Sequence, residues 1–169
     1  IEKARFGAHT VNNMQASLLA LDGVLQVEQL TGELHGGGIE ASGILNARHN
    51  AVTLDTSGSI SRLDIARALA ATESKPTLTG SASVDWQLHS QGSSEKELTA
   101  ALRGPIKLTT DEVTLKGVSV EKLLCQAVAL SNKEQLTAAF AADTRFTNVA
   151  ADIQVADGKA AFKPLHANL

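Results

Sequence analysis

Leu78-Thr79-Gly80-Ser81-Ala82-Ser83-Val84-Asp85-Trp86-Gln87-Leu88 is the stretch that decides the fold. Alternate positions put Leu78, Gly80, Ala82, Val84, Trp86 and Leu88 on one side, and Thr79, Ser81, Ser83, Asp85 and Gln87 on the other. Successive side chains of a strand point to opposite faces, so a period of two held this long makes one apolar face and one wetted face. A helix would smear the same apolar residues around its whole circumference. The run is also longer than the usual strand of about five or six residues, which implies a broad, curving sheet whose apolar side must be covered by something.

The same alternation recurs on both sides of this run. Upstream, Ala4 to Thr10 reads as a weak strand, Asn12-Asn13 as a turn, and Met14 to Leu21 as a second strand. Asp22-Gly23 then predicts a two-residue hairpin, because both positions tolerate positive φ. Val24 to Leu34 returns, with a slip of phase that a bulge near Gln29 would absorb. Gly36-Gly37-Gly38 breaks the strand, Ile39, Ala41, Gly43 and Leu45 resume it, and Val52 and Leu54 repeat it briefly. Leu63 to Ala71 changes to a helical period, with Ser61 and Asp64 resembling a capping box. Downstream, Ser94 and Glu97 cap a second short helix running to Leu102. Ile106 and Leu108 form a strand, Asp111-Glu112 a turn, and Val113 and Leu115 the return. Val120, Leu123, Leu124, Ala127 and Val128 fall on one helical stripe behind Ser119 as N-cap. Asn132 to Asp143 reads as a mobile loop. Val149, Ala151, Ile153 and Val155 alternate again, and Asp157-Gly158 turns the chain back into Lys159 to Leu169. The fold class is therefore mainly β with two or three short helices: a curved, mostly antiparallel amphipathic sheet forming a groove that the helices cover in part.

Length and charge narrow the function classes. The 169 residues fit one domain, 1–169, and the strand-like runs at both ends suggest an excised piece of a larger chain. Net charge is −3 with Lys and Arg scattered, so no basic stripe is available to neutralise phosphates. Aromatic content of 3% with no Tyr leaves few rings on which bases could stack, and nucleic acid is not an expected partner. The one cysteine, Cys125, excludes an internal disulfide and a Cys-based zinc cluster. No apolar run reaches the roughly 18 residues that span a bilayer, so any membrane association belongs to a segment outside this sequence.

Catalytic constellations fail on their companions. His35-Gly36-Gly37-Gly38 spells an oxyanion-loop motif, but no serine has glycine at both minus two and plus two. Ser93 and Lys96 have the spacing of a lysine-activated serine, yet Ser-Asp-Asn and Lys-Thr-Gly are missing, and a helix N-terminus explains the pair. His9, His35, His49, His89 and His166 lie far apart in sequence, without the i, i+4 spacing of a zinc site. Asp111 and Glu112 read as turn residues, and Cys125 as a packed thiol. No metal, no cofactor and no enzymatic activity are expected. What remains is surface. An amphipathic sheet either folds over helices into an ordinary core or stays partly open as a trough, and periodicity does not choose between them. The small residues Ala41, Gly43, Gly80 and Ala82 leave volume above the sheet and favour the trough.

Leu102-Arg103-Gly104-Pro105-Ile106-Lys107-Leu108, Val113 to Leu124, Thr144 to Ala151 and Val155-Ala156-Asp157-Gly158 together resemble the C-terminal AsmA-like domain. Leu34-His35-Gly36-Gly37 matches that family's strand break and Leu78-Thr79-Gly80 its strand start, so the resemblance covers nearly the whole chain. His35 stands where Tyr is common, and Glu112 replaces the usual turn Gly, which implies a looser hairpin at 111–112. The resemblance implies a bacterial envelope protein: a periplasmic body of curved sheet, an inner-membrane anchor outside this sequence, and a link to outer-membrane assembly. It also implies kinship with chorein-type bridge proteins that carry phospholipid in a hydrophobic groove. On this reading Leu78, Val84, Trp86, Leu88, Ile106, Leu108, Ile153 and Val155 line the lipid groove, with phospholipid or another acyl-chain lipid as partner. The competing expectation is a structural module that docks other envelope proteins, with a closed core and no lipid site.

Overall fold

A computed structural model of the chain describes residues 2–72, 77–133, 138–163 and the backbone of 166–168. Its strands follow one another across a single ten-stranded sheet. They are β1 (Lys3–Phe6), β2 (His9–Leu21), β3 (Val24–Leu34), β4 (Gly37–Asn46), β5 (Val52–Asp64), β6 (Leu78–Gly92), β7 (Gly104–Leu115), β8 (Thr144–Ala156), β9 (Lys159–Phe162) and β10 (His166–Asn168). Each strand pairs antiparallel with the next as far as β8, and β9 and β10 share the last edge, both paired to β8. Three short helices interrupt the meander: α1 (Ile65–Ala71), α2 (Glu95–Ala100) and α3 (Val120–Asn132).

Local chemistry explains the turns. Asp22-Gly23 and Asp157-Gly158 have positive φ at both positions, the requirement of the two-residue hairpin that matches strand twist. His35-Gly36 does the same, at φ 47° and 81°, so the glycine run is a tight hairpin turn followed by strand. The phase slip in β3 is a bulge between Val27 and Leu30. Ser119, Ser94 and Asp64 are N-caps, their side chains accepting from Lys122, Glu97 and Arg67 backbone N–H. Glu97 also accepts from the Ser93 N–H at 2.7 Å, which fixes Ser93 as a helix-entry residue.

Four expectations are corrected. Asn12-Asn13 is no turn: the chain reverses at Gly7-Ala8, and Asn13, at φ 52°, is a bulge within β2. Asp111-Glu112 is no hairpin either, because β7 runs unbroken from Gly104 to Leu115 and the register against β6 shifts there instead. Strand β5 extends well past Leu54, through the small polar run Thr56 to Ser61, since its partners on both sides satisfy its backbone. That displaces the first helix, which starts at Ile65 with Asp64 as its own cap while Ser61 stays in the strand. Of the expected loop at 132–143, Asn132 closes α3, 138–143 is irregular, and 134–137 lies outside the described residues.

The sheet is one layer. Val11, Ala82, Val113, Ala151 and Val155 are the buried hydrophobic residues among those described, and none of the three helices buries a residue. Helices α1 and α2 lean on β6. Fully buried Ser90 donates to the Leu98 carbonyl of α2, and Thr144 holds the start of α3 by accepting from Val120 N–H and donating to the Val118 carbonyl. Leu123, Leu124, Val128 and Leu130 of α3 remain 57–79% exposed.

Candidate functional site: an open apolar sheet face

Residues opposite each other across antiparallel strands share a face. The register therefore assembles Ile39, Ile60, Val84, Leu108 and Ala151 into one row across five strands. The next row runs Ala41, Gly58, Trp86, Ile106, Ile153 and Phe162. Leu88 and Val155 stand one step further along the same face, and Leu78 stands opposite Leu115 toward the other end. The eight residues singled out from the sequence are thus brought onto one surface. Val155 is buried, and the other seven are half-buried.

Trp86 shows how the surface is built. Its ring lies over Gly58, where a Cβ would collide with it, and its Nε1–H reaches Thr56 Oγ1 at 3.4 Å. Glycine is needed there because the ring occupies the space of a side chain. Bulges in β2, β3, β5 and β7 keep the apolar residues in phase while bending the strands. Ser90 and Thr144 both belong to this face, so α2 and α3 attach on the apolar side at opposite ends of the strands, and the middle rows, buried Ala151 apart, stay partly exposed. That arrangement can hold flexible apolar chains.

The opposite face is polar and carries a recess of about 740 Å³ whose lining includes Gln26, Ser42, Asp55, Gln87, His89 and Arg103. Within it His89 Nδ1 and Asp55 Oδ1 are 2.7 Å apart. The His35-Gly36-Gly37-Gly38 run, already rejected as an oxyanion loop for want of a serine elbow, sits elsewhere, with Gly37 and Gly38 paired into β3 and β5. Ser93 Oγ donates to the Asn50 carbonyl and makes no bond to Lys96. Among the described residues no group of three His, Cys, Asp or Glu is placed to hold a metal. Sequence spacing hid one contact: His9 and His35, 26 residues apart, meet with Nδ1 and Nε2 2.8 Å apart at the β3–β4 turn. Burial, then the neighbouring His9, lowers the His35 pKa, against a raising influence from Asp64. At the start of α3, the Gly117 N–H and then the Lys116 ammonium hold the Asp143 carboxyl below its ordinary value.

The sequence profile of the AsmA family matches residues 1–165, essentially the whole meander with its apolar face. The chain belongs to the AsmA family. Among curated proteins and among solved structures, none matches it. AsmA proteins are associated with the bacterial envelope and its biogenesis, and this AsmA chain folds as an open one-layer sheet, apolar on one side and polar on the other. No helix among the described residues of this AsmA chain is long and apolar enough to cross a membrane.

Proposed function

We propose that the chain is a non-enzymatic periplasmic domain whose apolar sheet face shelters the acyl chains of phospholipids. In doing so it contributes to phospholipid transport and outer-membrane assembly from a parent protein anchored at the inner membrane. The observation that carries this reading is the pair of apolar rows, five and six residues long, that cross the sheet and, apart from buried Ala151, stay partly exposed. Each methylene moved from water to such a surface gains about 0.8 kcal/mol. An acyl chain therefore binds through its length, without a catalytic group, while the headgroup remains at the wet rim. The competing scaffold reading expects side chains packed shut beneath the helices, and no helix residue is buried.

Native mass spectrometry of the gently purified chain tests the proposal. Phospholipid retained by the wild type and lost from Val84→Glu, with unchanged circular dichroism, is the expected result. A lipid-free wild type under conditions that preserve weak complexes contradicts it.

A further inference from the structure

The recess on the polar face is built from two rows of side chains for which acyl-chain binding has no use. Strand pairing lines up Gln26, Ile44, Asp55 and His89 across β3 to β6, and Arg103, which exchanges both backbone hydrogen bonds with His89, extends the row to the start of β7. Beside it Ser42, Ser57 and Gln87 form a second row, and Pro105 and Gln154 pair where β7 meets β8. Charge is ordered along the first row. Asp55 Oδ1 lies 2.7 Å from His89 Nδ1 on one flank of the ring, and Arg103 stands on the other. A carboxylate only accepts hydrogen bonds, so Nδ1 carries the proton and Nε2 is left for a ligand. Among the described residues Nε2 has no partner, and no carboxylate lies within ion-pair distance of the Arg103 guanidinium.

We infer that this recess binds a phosphate monoester of a sugar or other polyol, with the phosphate between Arg103 and His89 and the hydroxylated body along the second row. The guanidinium fork donates to two phosphate oxygens at once, a geometry that a lysine would not give. His89 Nε2 answers either protonation state of a monoester, accepting from its P–OH or, once protonated, donating to its P–O⁻. A phosphodiester has no such proton to offer. Glu28, which accepts from Ser17 Oγ at 2.8 Å, and Asp55 set the negative side chains of the recess toward β3 and β5, so an anion is directed to the β7 end. The space, about 740 Å³, is far more than a phosphate fills and lies in the range of small-molecule sites. Its remaining wall suits hydroxyls. The Gln87 and Gln154 side-chain amides make no hydrogen bond among the described residues, and each offers a donor and an acceptor. Ile44, 44% exposed on an otherwise polar face, and Pro105 supply apolar contact for the C–H groups of the same body. The site lies across the sheet from the acyl-chain face and does not rest on lipid binding there.

Isothermal titration calorimetry of the chain with glucose 6-phosphate and glycerol 3-phosphate tests this, with NMR of the histidine ring nitrogens as a second readout. At least one of the two esters is expected to bind at a single site and to shift the His89 Nε2 resonance. Glucose is expected not to bind, and inorganic phosphate to bind roughly tenfold more weakly because it leaves the amides unused. Arg103→Gln is expected to weaken the ester by roughly tenfold or more. Gln87→Ala is expected to weaken the ester severalfold and leave inorganic phosphate unchanged, and both variants should keep the wild-type circular dichroism spectrum. Vesicles of phosphatidylglycerol, which offer a diester headgroup, are expected not to displace the ester. Val84→Glu, on the other face, is expected to leave ester binding intact even where it abolishes lipid retention. Binding of neither ester, binding that survives Arg103→Gln, glucose bound as tightly as its phosphate, displacement by the vesicles, or loss of binding in a folded Val84→Glu variant overturns the inference.

Discussion

Val11 and Leu18 sit seven residues apart in the same strand, yet Val11 is 5% exposed and Leu18 60%. No helix distinguishes them. Val11 has β1 on one side, with Ala4 opposite, and β3 on the other, with Leu34 opposite and Gly32 beneath its methyl groups. Leu18 has β3 on one side and, among the described residues, no strand on the other. In a one-layer sheet much of the shielding comes sideways from neighbouring strands, so pairing on both edges is needed for burial but does not ensure it: Ile44, paired on both sides, stays 44% exposed. Val113, Ala151 and Ala82 follow the same rule, each flanked by strands on both sides.

The largest effect that sharpens this contrast is a charge at each position. Val11→Asp is expected to cost about 3 kcal/mol in chemical denaturation, because an unpaired carboxylate is placed where water is shut out. Leu18→Asp is expected to stay within about 0.5 kcal/mol, and equal losses would break the idea of lateral shielding. Gly32→Ala comes next: its Cβ would stand 2.6 Å from Val11 Cγ1, and overpacking there is expected to cost about 1–2 kcal/mol. The same substitution paired with Val11→Ala should recover most of that loss.

Helix α3 extends the comparison to an element with even less lateral support. Thr144→Val keeps the shape and removes the hydroxyl that joins Val118 and Val120 to β8, with an expected cost of about 1 kcal/mol. Hydrogen exchange should rise at the start of α3 and stay unchanged at β2. The smallest effect is a pH dependence at the covered end of β2. Since the folded His35 pKa lies below its ordinary value near 6.5, the unfolded chain takes up the proton first. The stabilisation is complete above that value and is lost as pH falls through the lower folded value. The melting temperature should therefore decline on the acid side, and His35→Asn should flatten that decline. A decline of equal slope in the variant would assign it to other groups, whereas Asp143, held below 3.8, contributes only at more acid pH.

Much of this was legible in the residues. The alternation in Leu78 to Leu88, the two Asp-Gly turns, the bulge in β3 and the Ser119 cap all rest on interactions within a few positions, and each appears in the fold. The strand through Thr56 to Ser61 escaped notice because its small polar residues carry no hydrophobic period, and partners on both sides decide its conformation. Asp111-Glu112 looked like a turn because carboxylates favour turns, whereas β6 and β8 hold it straight from either side.

The sequence by itself determined which residues share an apolar side, where the hairpins fall, and the kinship with the AsmA family, because facing and turn chemistry are local properties of the chain. Only the tertiary structure decided that this side is left partly open by helices attached at its ends, that His9 meets His35, and that β5 runs straight through Thr56 to Ser61. Those outcomes depend on which strand lies beside which, and hydrogen bonds between residues far apart in the chain set that order.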